Sequence, residues 1–121
     1  MKKSVLFLTV LFVCVLAKGI YAQDAKQNFT LVNQTGVVIN EVYITPHEAN
    51  EWGEDILGRD ALDTNQECDI QFHPKENACM WDLRITDREG NALEWENLDL
   101  CKAVKITLHY SDGKAWADID E

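Results

Sequence analysis

Alternation of apolar and polar residues predicts β-strands along most of the chain. The clearest case is residues 80–87, where Trp81, Leu83 and Ile85 share one face and polar residues occupy the other. Residues 102–110 alternate in the same way. Weaker strand signals occur at residues 29–33, 37–45, 68–73, 92–95 and 115–119. The pattern therefore predicts about seven short strands, with no long helix after residue 22.

Short, half-polar strands of this kind favour an all-β fold. Each strand buries one face, and either two packed sheets or a small closed barrel can cover those faces. We predict a small antiparallel β-sandwich, formed by residues 29–121 as a single domain, with a small β-barrel as the alternative. Residues 23–28 are expected to be a loose, disordered N-terminal tail.

Turn signals separate the strands, and one connection is long. Residues 47–62 should contain at most one helical turn, ended by Gly58. The strand before this connection has an ambiguous face, because Asn40 interrupts one apolar phase and Glu41 interrupts the other; a β-bulge near Asn40 would reconcile them. Residues 73–78 are expected to form the turn of a hairpin.

The first 22 residues are predicted to be a signal peptide. Lys2 and Lys3 form a positive start, and residues 5–17 are a predominantly apolar run of signal-core length, too short for a permanent membrane anchor. Ala22 then offers a small residue at the cleavage site. These features are typical of a bacterial export signal, so we expect a periplasmic or secreted protein.

The cysteines agree with export. Cys14 would leave with the signal peptide, and two of the remaining three should pair in an oxidising compartment. In the expected hairpin, Cys68 would lie too far along the ladder to reach Cys79. Cys79 and Cys101 each precede a predicted strand, and we predict a disulfide between them. Cys68 is then either a small buried residue or the site of an intermolecular disulfide.

Removal of the signal peptide would change the charge of the chain. The full sequence has 21 acids, 11 bases and a formal net charge of −10. Lys2, Lys3 and Lys18 lie in the first 22 residues, which contain no acid, so residues 23–121 hold 21 acids against 8 bases, a net −13. Such a body cannot neutralise phosphates through a basic face, which excludes that class of nucleic-acid binder. The length also excludes a multi-domain enzyme.

Motifs for catalysis are weak in this sequence. Ser111 lies in an expected Ser-Asp-Gly turn, where a small polar residue is usual. His47, His73 and His109 do not have the spacing of metal ligands, and a reduced catalytic thiol is disfavoured by export. We therefore assign no catalytic residues and do not expect an enzyme.

Carboxylates in the long connection suggest a weak calcium site. Asp55, Asp60 and Asp63 could supply the hard oxygen ligands that calcium prefers. No EF-hand loop is present, and so acidic a chain will place carboxylates in many loops by chance. The alternative is an acidic surface exposed to solvent, and no other cofactor is predicted.

Trp52 is the most informative aromatic residue, because it stands in an otherwise acidic loop. Aromatic side chains are enriched at binding hot spots, although the ring could equally fold back against the core. Gly53 is expected to form a tight turn that fixes the ring in either case. Trp52, Gly53 and Asp55 are the predicted interaction residues, while Trp95 and Trp116 stay undecided between core and surface.

Several segments occur in an order that suggests relatives. They are residues 29–36 (FTLVNQTG), 42–46 (VYITP), 52–58 (WGEDILG), 79–83 (CMWDL) and 98–101 (LDLC). Together they resemble a family of small secreted bacterial β-rich domains without an assigned function. The resemblance covers nearly all of residues 23–121 and implies a compact exported domain with the same Cys79–Cys101 disulfide. It implies no catalytic residue.

These observations favour an exported, non-enzymatic binding module. Its acidity favours a cationic macromolecule, and the partner class stays open between a protein and a glycan. One version is inhibition of a cationic enzyme such as a lysozyme. The alternatives are a small secreted hydrolase or ligand carrier and a calcium-stabilised structural domain. Neither a nucleic-acid partner nor a permanent membrane anchor is expected, and the oligomeric state stays open.

Overall fold

The computed structural model describes residues 13–15, 25–58 and 60–121. These residues contain eight β-strands. In chain order they are β1 (Val13–Val15), β2 (Phe29–Gln34), β3 (Glu41–Pro46), β4 (Glu67–Gln71), β5 (Met80–Thr86), β6 (Ala92–Asp99), β7 (Lys105–Ser111) and β8 (Lys114–Asp120). Within the same ranges, no helix is long and apolar enough to cross a membrane.

Two sheets face each other across the core, which confirms the predicted β-sandwich. One sheet has five strands in the order β1-β4-β2-β7-β8, and the other has three in the order β3-β5-β6. The strand pairs are antiparallel except that β2 runs parallel to β7. The expectation of an antiparallel sandwich therefore holds for all but one pair.

The strands were predicted well, but their pairing was not. Strands β2 to β8 fall on the seven predicted stretches, whereas the hairpin expected around residues 73–78 does not form. β4 belongs to the five-stranded sheet and β5 to the three-stranded sheet, so residues 73–78 cross from one sheet to the other. Alternation shows which residues of a strand are buried. It does not show to which sheet the strand belongs, because both sheets bury one face against the same core.

The region around Asn40 differs from the expected bulge. Ile39 forms an isolated β-bridge with Leu62, and β3 begins two residues later. Ile39 and Val42 are both fully buried. The switch in which alternate residues are buried therefore occurs before β3 begins. The β-bulge lies instead in the β5–β6 pair.

Trp81 is the largest fully buried side chain of the described residues. Phe72 packs edge-on against its ring at a centroid distance of 4.9 Å. The indole Nε1 donates a hydrogen bond of 2.9 Å to the carbonyl oxygen of Ala78. The other buried apolar residues include Phe29, Leu31, Ile39, Val42, Ile44, Leu62, Ile70, Leu83, Ile85, Trp95, Leu100, Ile106 and Leu108.

Residues 25–28 are packed, which corrects the expectation of a loose tail for the described part of residues 23–28. Gln27 is fully buried. Its Nε2 donates to the carbonyl oxygens of Glu76 at 3.0 Å and Ala78 at 2.8 Å. Although this segment is polar, it supplies hydrogen-bond donors to backbone carbonyls of residues 73–78, which cross between the sheets. Composition does not reveal such a long-range contact.

The predicted signal peptide, residues 1–22, lies outside the described residues apart from β1. That strand pairs antiparallel with β4 in the register Val13 to Gln71. Cleavage after Ala22 stays a prediction, and it would leave β4 as an edge strand of the five-stranded sheet.

Cys79 and Cys101 are joined by a disulfide with Cα atoms 5.0 Å apart, which confirms the predicted pair. Cys68 is buried as expected, but it is also disulfide-bonded. No described cysteine is therefore a free thiol. The two alternatives expected for Cys68, a small buried residue or an intermolecular disulfide, follow from counting only the cysteines after residue 22. Disulfides are typical of proteins outside the cytoplasm.

A two-residue turn joins β7 to β8 in a tight hairpin. Ser111 pairs with Lys114, and the residues between them, Asp112 and Gly113, have φ angles of 53° and 80°. An Asp-Gly pair with positive φ at both positions suits the turn that best matches the twist of a hairpin. The turn fixes the register that places His109 opposite Trp116.

Candidate binding surface

Asp55, a predicted interaction residue, fastens the long connection to the outer edge of β3. Its Oδ1 accepts hydrogen bonds from the backbone N–H groups of Val42 at 2.9 Å and Leu57 at 3.0 Å. The N–H of Ile56 donates to the carbonyl oxygen of Val42 at 2.8 Å. Ile56 and Leu57 also pack against the core. Asp55 therefore organises the loop, and one of its carboxylate oxygens is already engaged with backbone.

Trp52 and Gly53 lie in the part of this loop that reaches solvent. Trp52 is half-buried, and it is not among the described residues that form the core or pack against it. Gly53 is exposed, does not adopt a positive φ, and has no atom near the position of an added Cβ. The conformation at Gly53 is therefore not one that requires glycine, unlike the tight turn expected there. The structure brings the three predicted residues into one loop but gives them different roles.

The calcium candidates are not gathered into a cluster in the described part of the chain. Asp55 is bonded to backbone as above, Asp63 accepts from the N–H of Thr64 at 2.8 Å, and Asp60 is exposed. The cluster of possible metal-ligating groups among the described residues is Cys79, Asp99 and Cys101. Its two sulfur atoms form the disulfide, so they cannot serve as thiolate ligands.

His47 and Asp82 form a contact between the start of the long connection and the outer face of β5. His47 Nδ1 lies 2.8 Å from Asp82 Oδ1. The same oxygen accepts the N–H of Asn97 at 2.9 Å. The hydrogen bond to Asp82 raises the pKa of His47 above its usual value, with a further contribution from the charge of Asp82.

We expect an NMR titration to show His47 with a pKa above 6.5, and Asp82→Asn to move it back towards that value. Because the folded-state pKa is raised, the protonated histidine stabilises the fold fully below pH 6.5. This contribution is lost as the pH rises through the folded-state pKa. Asp118→Asn, which alters the partner of a different histidine, is the control. An unchanged His47 titration in Asp82→Asn would contradict the assignment.

A second carboxylate network lies on the outer face of the three-stranded sheet. Glu41 Oε1 accepts hydrogen bonds of 2.8 Å from the hydroxyls of Thr86 and Tyr43. These bonds lower the pKa of Glu41, and burial together with the bond to Glu41 raises the pKa of Tyr43 to about 12. Both hydroxyls have a hydrogen-bond acceptor in this network, so the network stabilises the sheet.

The acidic excess is not neutralised by ion pairs among the described residues. Within residues 25–58 and 60–121, one pair joins a lysine or arginine to a carboxylate, with Arg84 Nη1 3.7 Å from Glu94 Oε2. Two further carboxylates contact histidines. Exposed acids include Glu48, Glu54, Asp60, Asp63, Glu67, Glu89, Glu94, Glu96, Asp112, Asp118, Asp120 and Glu121. The surface therefore carries a strongly negative potential.

Four of these acids lie on the outer faces of the two outermost strands that meet at one edge of the sandwich, and we call this set the acidic flank. β6 and β8 are the outer strands of their sheets and contact each other. β6 carries exposed Glu94 and Glu96, and β8 carries exposed Asp118 and Asp120. The sequence alone does not reveal this set of acids, because the contact between β6 and β8 depends on how the two sheets stack.

An open depression lies between β2 and β4. It has a volume of about 220 Å³ and is lined in part by Phe29, Ile70 and Val104. Pockets for small molecules usually measure about 300–1,000 Å³ and enclose most of the ligand. This depression is therefore a poorer candidate for ligand binding than the acidic flank.

Comparison with solved structures supports the fold. The chain is similar to an NMR structure of a protein from Eubacterium rectale, with a TM-score of 0.53 and 16% sequence identity. The match covers 84% of this chain and 96% of that one. No protein-family model and no curated protein matches the chain. At this level of identity the similarity establishes a shared β-sandwich architecture and nothing about activity.

Proposed function

We propose that this protein is an exported, non-enzymatic module that binds a cationic macromolecule. The observation that carries the proposal is the acidic flank, four exposed carboxylates on the contacting outer strands β6 and β8, without lysine or arginine partners beyond Arg84 among the described residues. Negative potential of this kind attracts a positively charged partner and speeds its encounter.

Export to the periplasm or the cell exterior is part of the same proposal. It rests on the predicted signal peptide at residues 1–22 and on the disulfide between Cys79 and Cys101. The resemblance to small secreted bacterial domains is consistent with it. Outside the cell, cationic targets include basic enzymes and basic peptides, and inhibition of a lysozyme is one form that such binding could take.

We expect the domain of residues 23–121 to bind lysozyme, used as a cationic probe, and to lose about tenfold in affinity between ionic strengths of about 0.01 M and 0.15 M. Lysozyme with acetylated lysines should bind much more weakly, because acetylation removes the positive charge. Binding measured by calorimetry that hardly responds to salt or acetylation would contradict the proposal.

Two matched variants test whether the acidic flank is the surface used. The first neutralises the flank by Glu94→Gln, Glu96→Gln, Asp118→Asn and Asp120→Asn. The second removes the same charge elsewhere by Glu48→Gln, Glu54→Gln, Asp60→Asn and Glu89→Gln, all at exposed positions. The flank variant should bind lysozyme at least several-fold more weakly than the control variant. Equal loss in both would show that net charge, and not the flank, governs binding.

A further inference from the structure

The exposed Trp116 and the half-buried His109 form an aromatic pair beside the acidic flank. They lie directly opposite each other on β8 and β7. Their rings are stacked, with centroids 5.0 Å apart and planes 8° from parallel. Trp116 is nonetheless 45% exposed, whereas most tryptophans in the described chain are buried or half-buried. Neither ring is buried in the core. Apolar ring surface therefore stays in contact with water, which is unfavourable in free energy.

The position of His109 is fixed by Asp118. His109 Nε2 lies 2.9 Å from Asp118 Oδ2, and the Asp118 side chain is 66% exposed. The histidine ring thus supports one face of the Trp116 indole, and no aromatic ring or cation of the described residues is stacked on the other face. Since β8 is the outer strand of its sheet, that face has no neighbouring strand beside it.

The outer face of β8 has an ordered sequence of chemical groups. Alternate residues along the strand are Lys114, Trp116, Asp118 and Asp120. Residues two apart on a strand are separated by about 6.6 Å. Asp118 therefore lies one such spacing beyond Trp116, and Asp120 lies one further, on the side away from Lys114. A planar cation resting on the indole would have Asp118 within reach at its edge, and a neighbouring positive group would meet Asp120.

We infer that this face of β8 is the contact site for an arginine side chain of the cationic partner. The guanidinium stacks on the open face of Trp116 and donates hydrogen bonds to the carboxylate of Asp118. Arginine suits this arrangement better than lysine, because its planar group can stack and donate in its own plane at the same time. This inference rests on the proposed function and adds to it the binding residues and the group they recognise.

The test compares an arginine homopeptide with a lysine homopeptide of equal length, both titrated into the domain of residues 23–121. The wild-type domain should bind the arginine peptide more tightly. Trp116→Ala should weaken the arginine peptide about tenfold and the lysine peptide much less. Trp116→Phe keeps an aromatic face and should recover part of the loss. Asp118→Asn should also weaken the arginine peptide.

Tyr110→Ala is the matched control, since it removes an exposed aromatic residue that lies on the other face of β7 from His109. Its affinity for both peptides should equal that of wild type, and thermal unfolding of each variant checks that the fold is retained. Unchanged binding of the arginine peptide by a folded Trp116→Ala would overturn the inference while leaving the proposed function intact. Failure of the wild-type domain to bind either peptide or lysozyme would overturn both.

An uncharged oligosaccharide is the remaining probe, because sugar rings also stack on exposed tryptophan. Cello- and chito-oligosaccharides should give no chemical-shift change at the Trp116 indole. Saturable shifts there, abolished by Trp116→Ala, would overturn the assignment to arginine and identify a glycan site in its place.

Discussion

Replacing Trp81 with alanine should lower the free energy of unfolding by about 3–5 kcal/mol, the largest effect expected of any single substitution in this chain. The side chain is fully buried and lies edge-on to Phe72 at 4.9 Å. Its removal would leave a cavity between the sheets and leave the carbonyl oxygen of Ala78 without its indole donor. Urea-induced unfolding of the domain of residues 23–121 would measure the loss.

Trp116→Ala serves as the control for this substitution. It deletes the same side chain from an exposed position, where most substitutions change stability by about 0.5 kcal/mol or less. Trp81→Phe should fall between the two, because a smaller ring fills part of the space but donates no hydrogen bond. A loss below about 1 kcal/mol in Trp81→Ala would contradict the central position of this residue in the core.

Removing the Cys79–Cys101 disulfide by a Cys79→Ala/Cys101→Ala double substitution should cost about 3 kcal/mol. The two residues are separated by 22 positions. Without the bond, the unfolded chain regains the conformational freedom of that loop. The unfolded state should also expand, so that the dependence of the unfolding free energy on urea becomes steeper.

Lys102→Ala tests whether this loss is specific to the covalent bond. Lys102 is exposed and adjoins Cys101, so its replacement should change the unfolding free energy by about 0.5 kcal/mol or less. The two segments also share a backbone hydrogen bond of 2.8 Å, from the N–H of Leu100 to the carbonyl oxygen of Cys79, which does not involve the sulfur atoms. A double variant as stable as wild type would show that such contacts hold the two segments without the disulfide.

The individual strands could be predicted because burial imposes a period of two on each of them. Trp81, Leu83 and Ile85 are buried as their spacing indicates. The turn expected at the Ser-Asp-Gly segment before β8 forms for a similarly local reason, because Asp112 and Gly113 both adopt positive φ. Sheet membership was not predictable in this way: β4 and β5 show the same alternation but belong to different sheets, and the parallel pairing of β2 with β7 joins strands far apart in sequence.

The binding residues were harder to predict than the fold. Asp55 is predicted to be an interaction residue and a calcium ligand, yet its carboxylate bonds to the backbone of Val42, thirteen positions earlier in the chain. Trp116 was left undecided, although the sequence carries a usable signal. On β8 the small residues Ala115 and Ala117 occupy one phase, and Trp116 shares the other with Asp118 and Asp120. An aromatic residue in phase with acids is expected to face solvent.

The attachment of residues 47–58 to β3 also bears on how the protein behaves at high concentration. A strand at the edge of a sheet offers unpaired N–H and C=O groups to which another chain can add. The carboxylate of Asp55 and the N–H of Ile56 occupy both backbone groups of Val42 on that edge. The loop therefore prevents another chain from pairing with β3 at Val42. Proteolysis within it would expose the β3 edge as a template for aggregation.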